Sequence, residues 1–217
     1  MKGKLIVIEG TNSSGKQTQA ELLVKHLNEE NIPSKKYGFP DYNTPTGKII
    51  GNCLLGKNGN SYFNDINNIP PKVAALYYAA DRAYNIDKIN SLLDKGINVI
   101  LDRYAHSNMA YQAAKFEETS DKINMLLWME QLEFNLLDLP KPDKVIFLYL
   151  PYEYRNDIDD DNLNLKSTEM VYSLMAERYG FTIINCIKDD KIRDILDIHE
   201  EIYKEIKDYL VNEMPKN

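Results

Sequence analysis

The stretch Leu5-Ile6-Val7-Ile8-Glu9-Gly10-Thr11-Asn12-Ser13-Ser14-Gly15-Lys16 decides the fold of this chain. Its first four residues form a continuous apolar run, the pattern of a strand covered on both faces. Gly10 and Gly15 then bracket a turn that ends in Lys16. Ala20, Leu23, Val24 and Leu27 follow at the spacing of one helix face. Strand, glycine-bounded turn and helix in that order aim backbone N–H groups at an anion; the helix N-terminus adds partial positive charge, and a lysine reaches the β- and γ-phosphates. Gly10, Thr11, Asn12, Ser13, Ser14, Gly15, Lys16, Gln17 and Thr18 are therefore candidates to hold a nucleotide's phosphates. The position after the lysine ordinarily carries Ser or Thr, whose hydroxyl meets Mg²⁺. Here it is Gln17, so Mg²⁺ is expected to rest mainly on nucleotide oxygens and water, helped by a carboxylate elsewhere.

The rest of the chain repeats the alternation of strand and helix. Residues 36–39 read as a second strand stopped by Pro40, and the Gly- and Asn-rich segment 56–70 reads as a loop. Pro70-Pro71 opens a long helix over 71–94, with Gly96 as its stop signal. Residues 98–102 form the third strand, 121–137 a helix closed by Pro140 and Pro142, 144–150 the fourth strand and 181–185 the fifth. Ile195, Ile198, Ile202, Ile206 and Tyr209 mark one face of a C-terminal helix. Strands separated by helices require crossover connections and hence parallel pairing. The expectation is one doubly wound α/β domain spanning 1–217, a five-stranded parallel sheet flanked by helices.

Composition agrees. The 217 residues are 43% hydrophobic and 27% charged, enough for a single core. Twenty-six basic against 33 acidic residues give a net charge of −7, which argues against a nucleic-acid polymer or an anionic membrane as partner. Cys53 and Cys186 have no metal-ligand spacing and read as reduced thiols. The short apolar run after Met1 is unlike a signal peptide, and no run approaches a membrane span, so a cytoplasmic location is expected. Only five residues are Arg, at 82, 103, 155, 178 and 193, a scarcity that matters because Arg is the preferred residue for bidentate phosphate recognition; Arg178 and Arg193 read as helix-surface residues.

A second constellation, Leu101-Asp102-Arg103-Tyr104, sits at the end of the third strand. In an open parallel sheet the C-terminal strand ends line the ligand crevice, so it faces the same edge as the phosphate turn. Asp102 there is the candidate carboxylate for Mg²⁺, and Arg103 the candidate phosphate clamp; a structural ion pair between the two is the alternative.

With both motifs in hand, the chain resembles the thymidylate kinase family of P-loop nucleoside-monophosphate kinases. The resemblance runs from Ile6 to about Tyr209. It is carried by Glu9 to Gln19, Phe39-Pro40-Asp41-Tyr42, Tyr78-Ala79-Ala80-Asp81-Arg82, Asp102 to Gln112, and Leu139-Pro140-Lys141-Pro142-Asp143. It implies a P-loop core with a short lid over about 151–166, and γ-phosphoryl transfer from ATP to dTMP. It further implies that Tyr78 stacks on thymine, Arg82 and Asn108 bind the base, and Tyr111 crowds the 2′ position. Phe39 and Pro40 would shape the pocket, Tyr42 and Arg103 would meet the acceptor phosphate, and Asn12 the sugar, with Gln112 a further candidate. A homodimer built through helices is implied as well; Trp128 lies in a suitable helix, or is ordinary core.

The chain departs from the family in three places. Asn12 replaces the usual Asp, Gln17 the usual hydroxyl residue, and the phosphate turn holds Ser13 and Ser14 but no arginine. The transition-state arginine is then expected from the lid, where Arg155 stands alone before the acidic run 157–161, with Lys166 as a weaker substitute. Two readings compete with a dTMP kinase. One is a related kinase acting on dUMP or another deoxynucleoside monophosphate; the other is a nucleotide-binding module with weak or lost catalysis.

Overall fold

The computed structural model describes residues 2–57, 59, 61–63, 69–154 and 162–212. β1 (Leu5–Gly10) is the middle of the main sheet, with all six residues buried. It pairs on one side with β3 (Asn98–Asp102) and on the other with β4 (Lys144–Tyr149), both parallel. β2 (Ser34–Gly38) and β5 (Thr182–Asn185) are the edges, giving the order β2-β3-β1-β4-β5. Five parallel strands are thus present as expected.

Alternate residues of these strands feed two buried layers. Ile6, Ile8, Ile100, Ile146, Leu148 and Ile184 face a core shared with α1 (Lys16–Glu29) and α7 (Ile195–Asn212). Leu5, Val7, Val99 and Leu101 face Ile86, Ile89, Leu92 and Leu93 of α3 (Pro71–Asp94). A third cluster joins Phe147 to α4 (Ala105–Ala113), α5 (Thr119–Glu130) and α6 (Asn162–Tyr179) through Met109, Met125, Met129, Tyr172 and Met175. Burial on both faces is why the central strands read as unbroken apolar runs.

Boundaries differ from the sequence reading where local chemistry intervenes. β2 runs over Ser34–Gly38, not 36–39, because the Asn28 side chain grips both the N–H and the C=O of Ser34 (each 3.0 Å). The helix expected over 121–137 starts at Thr119 and widens into a π-helical segment, Gln131–Leu136. The short α2 (Pro45–Ile49), its π-helical continuation Ile50–Leu54, and a small hairpin of β6 (Ile187–Lys188) and β7 (Lys191–Ile192) are additional. No helix among the described residues is long and apolar enough to cross a membrane.

Behind α4, His106 is buried against Phe134, Tyr179 and Phe181, with the Phe181 ring edge-on at 5.0 Å. Burial, then the nearby Arg82 charge, pushes its pKa down to about 3 from 6.5. A base held neutral in the fold and free to protonate when unfolded costs stability only on the acid side. Stability is therefore expected to hold above pH 6.5 and to fall by about 1.4 kcal/mol per pH unit below it from this residue alone. Urea midpoints at pH 7 and pH 5 measure this; His106→Phe should flatten the difference, and an unchanged slope in that variant would refute the assignment.

Candidate active site

The phosphate turn is shaped by backbone conformations that few residues tolerate. Gly10 has φ 155, and a Cβ there would lie 2.5 Å from Ser14 Oγ and 2.9 Å from the Leu148 carbonyl oxygen. Gly15, at φ 81, occupies the N-cap of α1. Between them Ser13 also has positive φ (59), and the Ser14 N–H donates to the Thr11 carbonyl (3.4 Å). Lys16 is only 6% exposed; its Nζ donates to the Thr11 carbonyl and to Ser14 Oγ (3.4 Å), so the charge sits inside the turn. Thr11 Oγ1 is buried without a protein partner. Ser13 and Thr18 are exposed, as is Gln17, whose amide donates along the helix to Glu21 Oε1 (3.1 Å).

Beside this turn lies a cavity of about 490 Å³ at the C-terminal edge of the sheet. Ten residues singled out from the sequence line it: Asn12, Phe39, Pro40, Tyr42, Tyr78, Arg82, Arg103, Asn108, Tyr111 and Gln112. They come from four separated segments, which only the parallel topology brings together. Tyr78 is half-buried and its phenol is raised to about 12, first by burial and then by Tyr42; its neighbour Tyr77 lies at the surface. Asn108 donates through Nδ2 to the Ala75 carbonyl (3.1 Å), which leaves its buried Oδ1 without a protein partner. Gln112 Oε1 is likewise buried and unpartnered. The Phe39–Pro40 peptide is cis, and Lys57 Nζ stands 3.4 Å from the Tyr42 ring centre.

Arg103 joins the cavity to the phosphate turn. Its Nη2 donates to Asn12 Oδ1 (2.7 Å), its Nη1 to Ser107 Oγ (3.1 Å), and Tyr111 Oη donates to the same Asn12 oxygen (2.9 Å). Burial opposes its charge, yet the surrounding Tyr111, Tyr172 and Glu9 hold its pKa above the ordinary arginine value. Asp102, in register with Ile8 of β1 and Gly38 of β2, is half-buried and does not line the cavity. The alternative ion pair between Asp102 and Arg103 is not formed among the described salt bridges.

Arg82 lines the cavity and is also paired within the fold. Its guanidinium is 2% exposed, and Nε (2.8 Å) and Nη2 are both committed to Glu133 of the π-helical segment. The Nη1 and remaining Nη2 N–H groups are left for another partner, so Arg82 is a braced wall of the cavity. Sequence reading missed Glu133, whose inward aim depends on the π-helical turn. It also missed Asp81: this buried carboxylate accepts from the Asp41 N–H (2.9 Å), Thr46 Oγ1 (2.7 Å) and Thr44 Oγ1 (3.2 Å), and so seats the Pro40–Tyr42 turn. Ser107, inside the Asp102–Gln112 motif but given no role there, is a further wall, as are Lys115, Leu165 and Thr168, which no motif announced. Arg155 and the acidic run lie outside the described residues. Lys166 is exposed on the first turns of α6, its Nζ 6.0 Å from the Tyr152 ring centre.

A parallel sheet in this strand order, with a lysine-bearing phosphate turn after its central strand and an adjoining acceptor cavity, defines a P-loop nucleoside-monophosphate kinase. The family model described as "Thymidylate kinase" matches residues 8–157. The thymidylate kinase of Plasmodium falciparum is 34% identical over 208 residues, covering 94% of this chain and 90% of that protein. The solved thymidylate kinase of Candida albicans superposes with a TM-score of 0.74 at 28% identity, covering 100% of this chain and 96% of that one. The Ehrlichia chaffeensis structure shares the fold, with a TM-score of 0.72 at 23% identity over 95% and 100% of the two chains. The chain belongs to the thymidylate kinase family and is a phosphotransferase.

Proposed function

We propose that the cavity is the dTMP site and the phosphate turn the ATP site of one active centre. The reaction is ATP-dependent phosphorylation of dTMP to dTDP, the activity of the family to which the chain belongs. The observation that carries the site reading is Arg103, which spans from the cavity to Asn12 of the phosphate turn in a 2.7 Å contact. Donor and acceptor phosphates held on either side of that contact are close enough for direct transfer.

The residues divide the work by chemistry. The cradle of Gly10 to Gly15 and Lys16 neutralise the donor's terminal phosphates, while Arg103, with Tyr42 beside it, takes the acceptor phosphate. That phosphate is already ionised, so positioning and charge neutralisation suffice and no strong base is needed. Tyr78 stacks on thymine. The unpartnered Asn108 Oδ1 accepts from the N3–H of thymine, which also relieves a buried acceptor worth about 1–3 kcal/mol. Cytosine presents an acceptor at that ring position and is repelled. Tyr111, tied to Asn12, stands at the sugar and disfavours a 2′-hydroxyl.

Mg²⁺ fits the donor set: Asp102 is a hard carboxylate at a strand end, and a single such ligand suits an ion that keeps several waters. Bound there, the metal would neutralise phosphate charge. The outward course of Gln17 to Glu21 supports a metal held by Asp102 and not by residue 17. Arg155 is proposed as the lid's phosphate clamp.

The active unit is proposed to be a homodimer acting on free nucleotides in the cytoplasm. Val73, Leu76, Tyr77 and Tyr84 on α3, with Ile123 and Leu127 on α5, leave apolar side chains exposed that a second copy would cover. Trp128 is half-buried beside them, under Lys72 Nζ at 5.1 Å. A sedimentation velocity run giving the monomer mass at micromolar concentration would remove this proposal.

ADP release with ATP and a panel of dTMP, dUMP, dCMP and dGMP tests the reaction. Turnover is expected with dTMP, less with dUMP and least with dCMP. Binding without turnover on every acceptor would replace the kinase by a binding module, and a purine preference would overturn the base assignment.

A further inference from the structure

Glu9 is the group in the molecule that the reaction leaves unexplained. It lies one residue before the phosphate turn and is 0% exposed, an expensive place for a carboxyl group. Burial, the largest influence, pushes its pKa up; bonds from Ser107, Tyr104 and Tyr172 and the charge of Arg103 oppose that push.

Four donors converge on it. Oε1 accepts the backbone N–H groups of Tyr104 (3.0 Å) and Ser107 (3.1 Å). Oε2 accepts the hydroxyls of Ser107 (2.6 Å) and Tyr172 (2.9 Å). Two donors on each oxygen fill the acceptor capacity of a carboxylate. Tyr104 is the N-cap of α4 and its side chain makes no capping bond, so its helix starts without a local cap. Glu9 supplies that cap from β1, satisfying two otherwise orphaned N–H groups at the helix N-terminus.

The same turn carries Arg103 at φ 66, a left-handed conformation that a non-glycine residue keeps only when its surroundings hold it. Its Nη1 donates to Ser107 Oγ, and that hydroxyl in turn donates to Glu9. We propose that Glu9 is a positioning residue for the acceptor phosphate. By capping α4 and orienting Ser107, it fixes the Arg103 guanidinium against Asn12 and sets the spacing between donor and acceptor phosphates. Because Glu9 is continuous with Gly10, one short piece of β1 shapes both halves of the centre. This inference rests on the proposed role of Arg103 at the acceptor phosphate.

Steady-state kinetics on Glu9→Gln tests it. The amide retains one acceptor oxygen, and its NH₂ group turns a donor toward hydroxyls that need an acceptor. With the fold intact by circular dichroism, kcat/KM for dTMP is expected to drop at least ~10-fold, while KM for ATP stays within about 3-fold. In an Arg103→Ala background, Glu9→Gln should cost less than about 3-fold more, since the two act through one side chain. Equal losses for both substrates, independent losses in the double variant, or no loss would each overturn the proposal. If Glu9→Gln does not fold, Ser107→Ala decides: it leaves the backbone bonds to Glu9 in place, cuts the link to Arg103, and should raise KM for dTMP but not for ATP. A wild-type enzyme that fails to phosphorylate any monophosphate would refute the parent reading; an active wild type with an indifferent residue 9 refutes this inference alone.

Discussion

Arg103→Ala is expected to lower kcat/KM for dTMP by roughly 10²–10³-fold, the cost of losing one preorganised charge donor at a developing negative centre. The side chain is already fixed: Ser107 and Asn12 hold two of its nitrogens, and its guanidinium carbon is 5.6 Å from the Tyr111 ring centre. Little ordering entropy is therefore left to lose when a phosphate arrives, which makes its contribution large. Arg103→Lys should recover only a small part, because a point charge cannot bridge Ser107, Asn12 and a phosphate at once. A loss confined to ATP, or one below about 5-fold, would show that the acceptor phosphate is bound elsewhere.

Lys16→Ala is expected to lower kcat by at least ~10², with a smaller rise in KM for ATP. Lys16 is buried within its own turn, bonded to the Thr11 carbonyl and Ser14 Oγ, so its charge is poorly screened, as the proposed role at the donor's terminal phosphates requires. Single-turnover rates separate the two effects. A variant that binds ATP weakly yet transfers at the normal rate once saturated would reduce Lys16 to a ground-state anchor.

How much of this was legible beforehand depended on which signal each element carries. α3 spans Pro71–Asp94, the range expected from the proline that opens it and the Gly96 that follows, at φ 77. β3 matched because Val99, Ile100 and Leu101 are buried and apolar. α4 left no periodic trace, for nearly every residue of it is buried: Ala105, Met109 and Ala113 pack in the core while Ser107, Asn108 and Gln112 turn to the cavity. A helix enclosed on all sides has no solvent face to write a pattern. The cavity-lining residues were readable through motifs because they stand in recurring short segments of sequence. The pairings of Glu9, Asp81 and Glu133 were not, since each acts on other protein groups across 35 to 163 positions of sequence, and nothing local marks them.

The phosphate turn is written at the start of the chain but its support comes late. β1 pairs with β3 and β4, and the inner face of α1, Ala20, Leu23 and Leu27, is covered by Ile198, Ile202, Ile206 and Leu210 of the last helix. Gln19 Nε2 donates to the Ile195 carbonyl (2.9 Å), and His26 Nδ1 meets His199 Nε2 at 3.1 Å. During synthesis the phosphate turn is therefore made well before the helix that completes its support: a chain arrested before Ile195 has the turn, the lysine and the central strand, but bare apolar surface on the helix that must hold them in place.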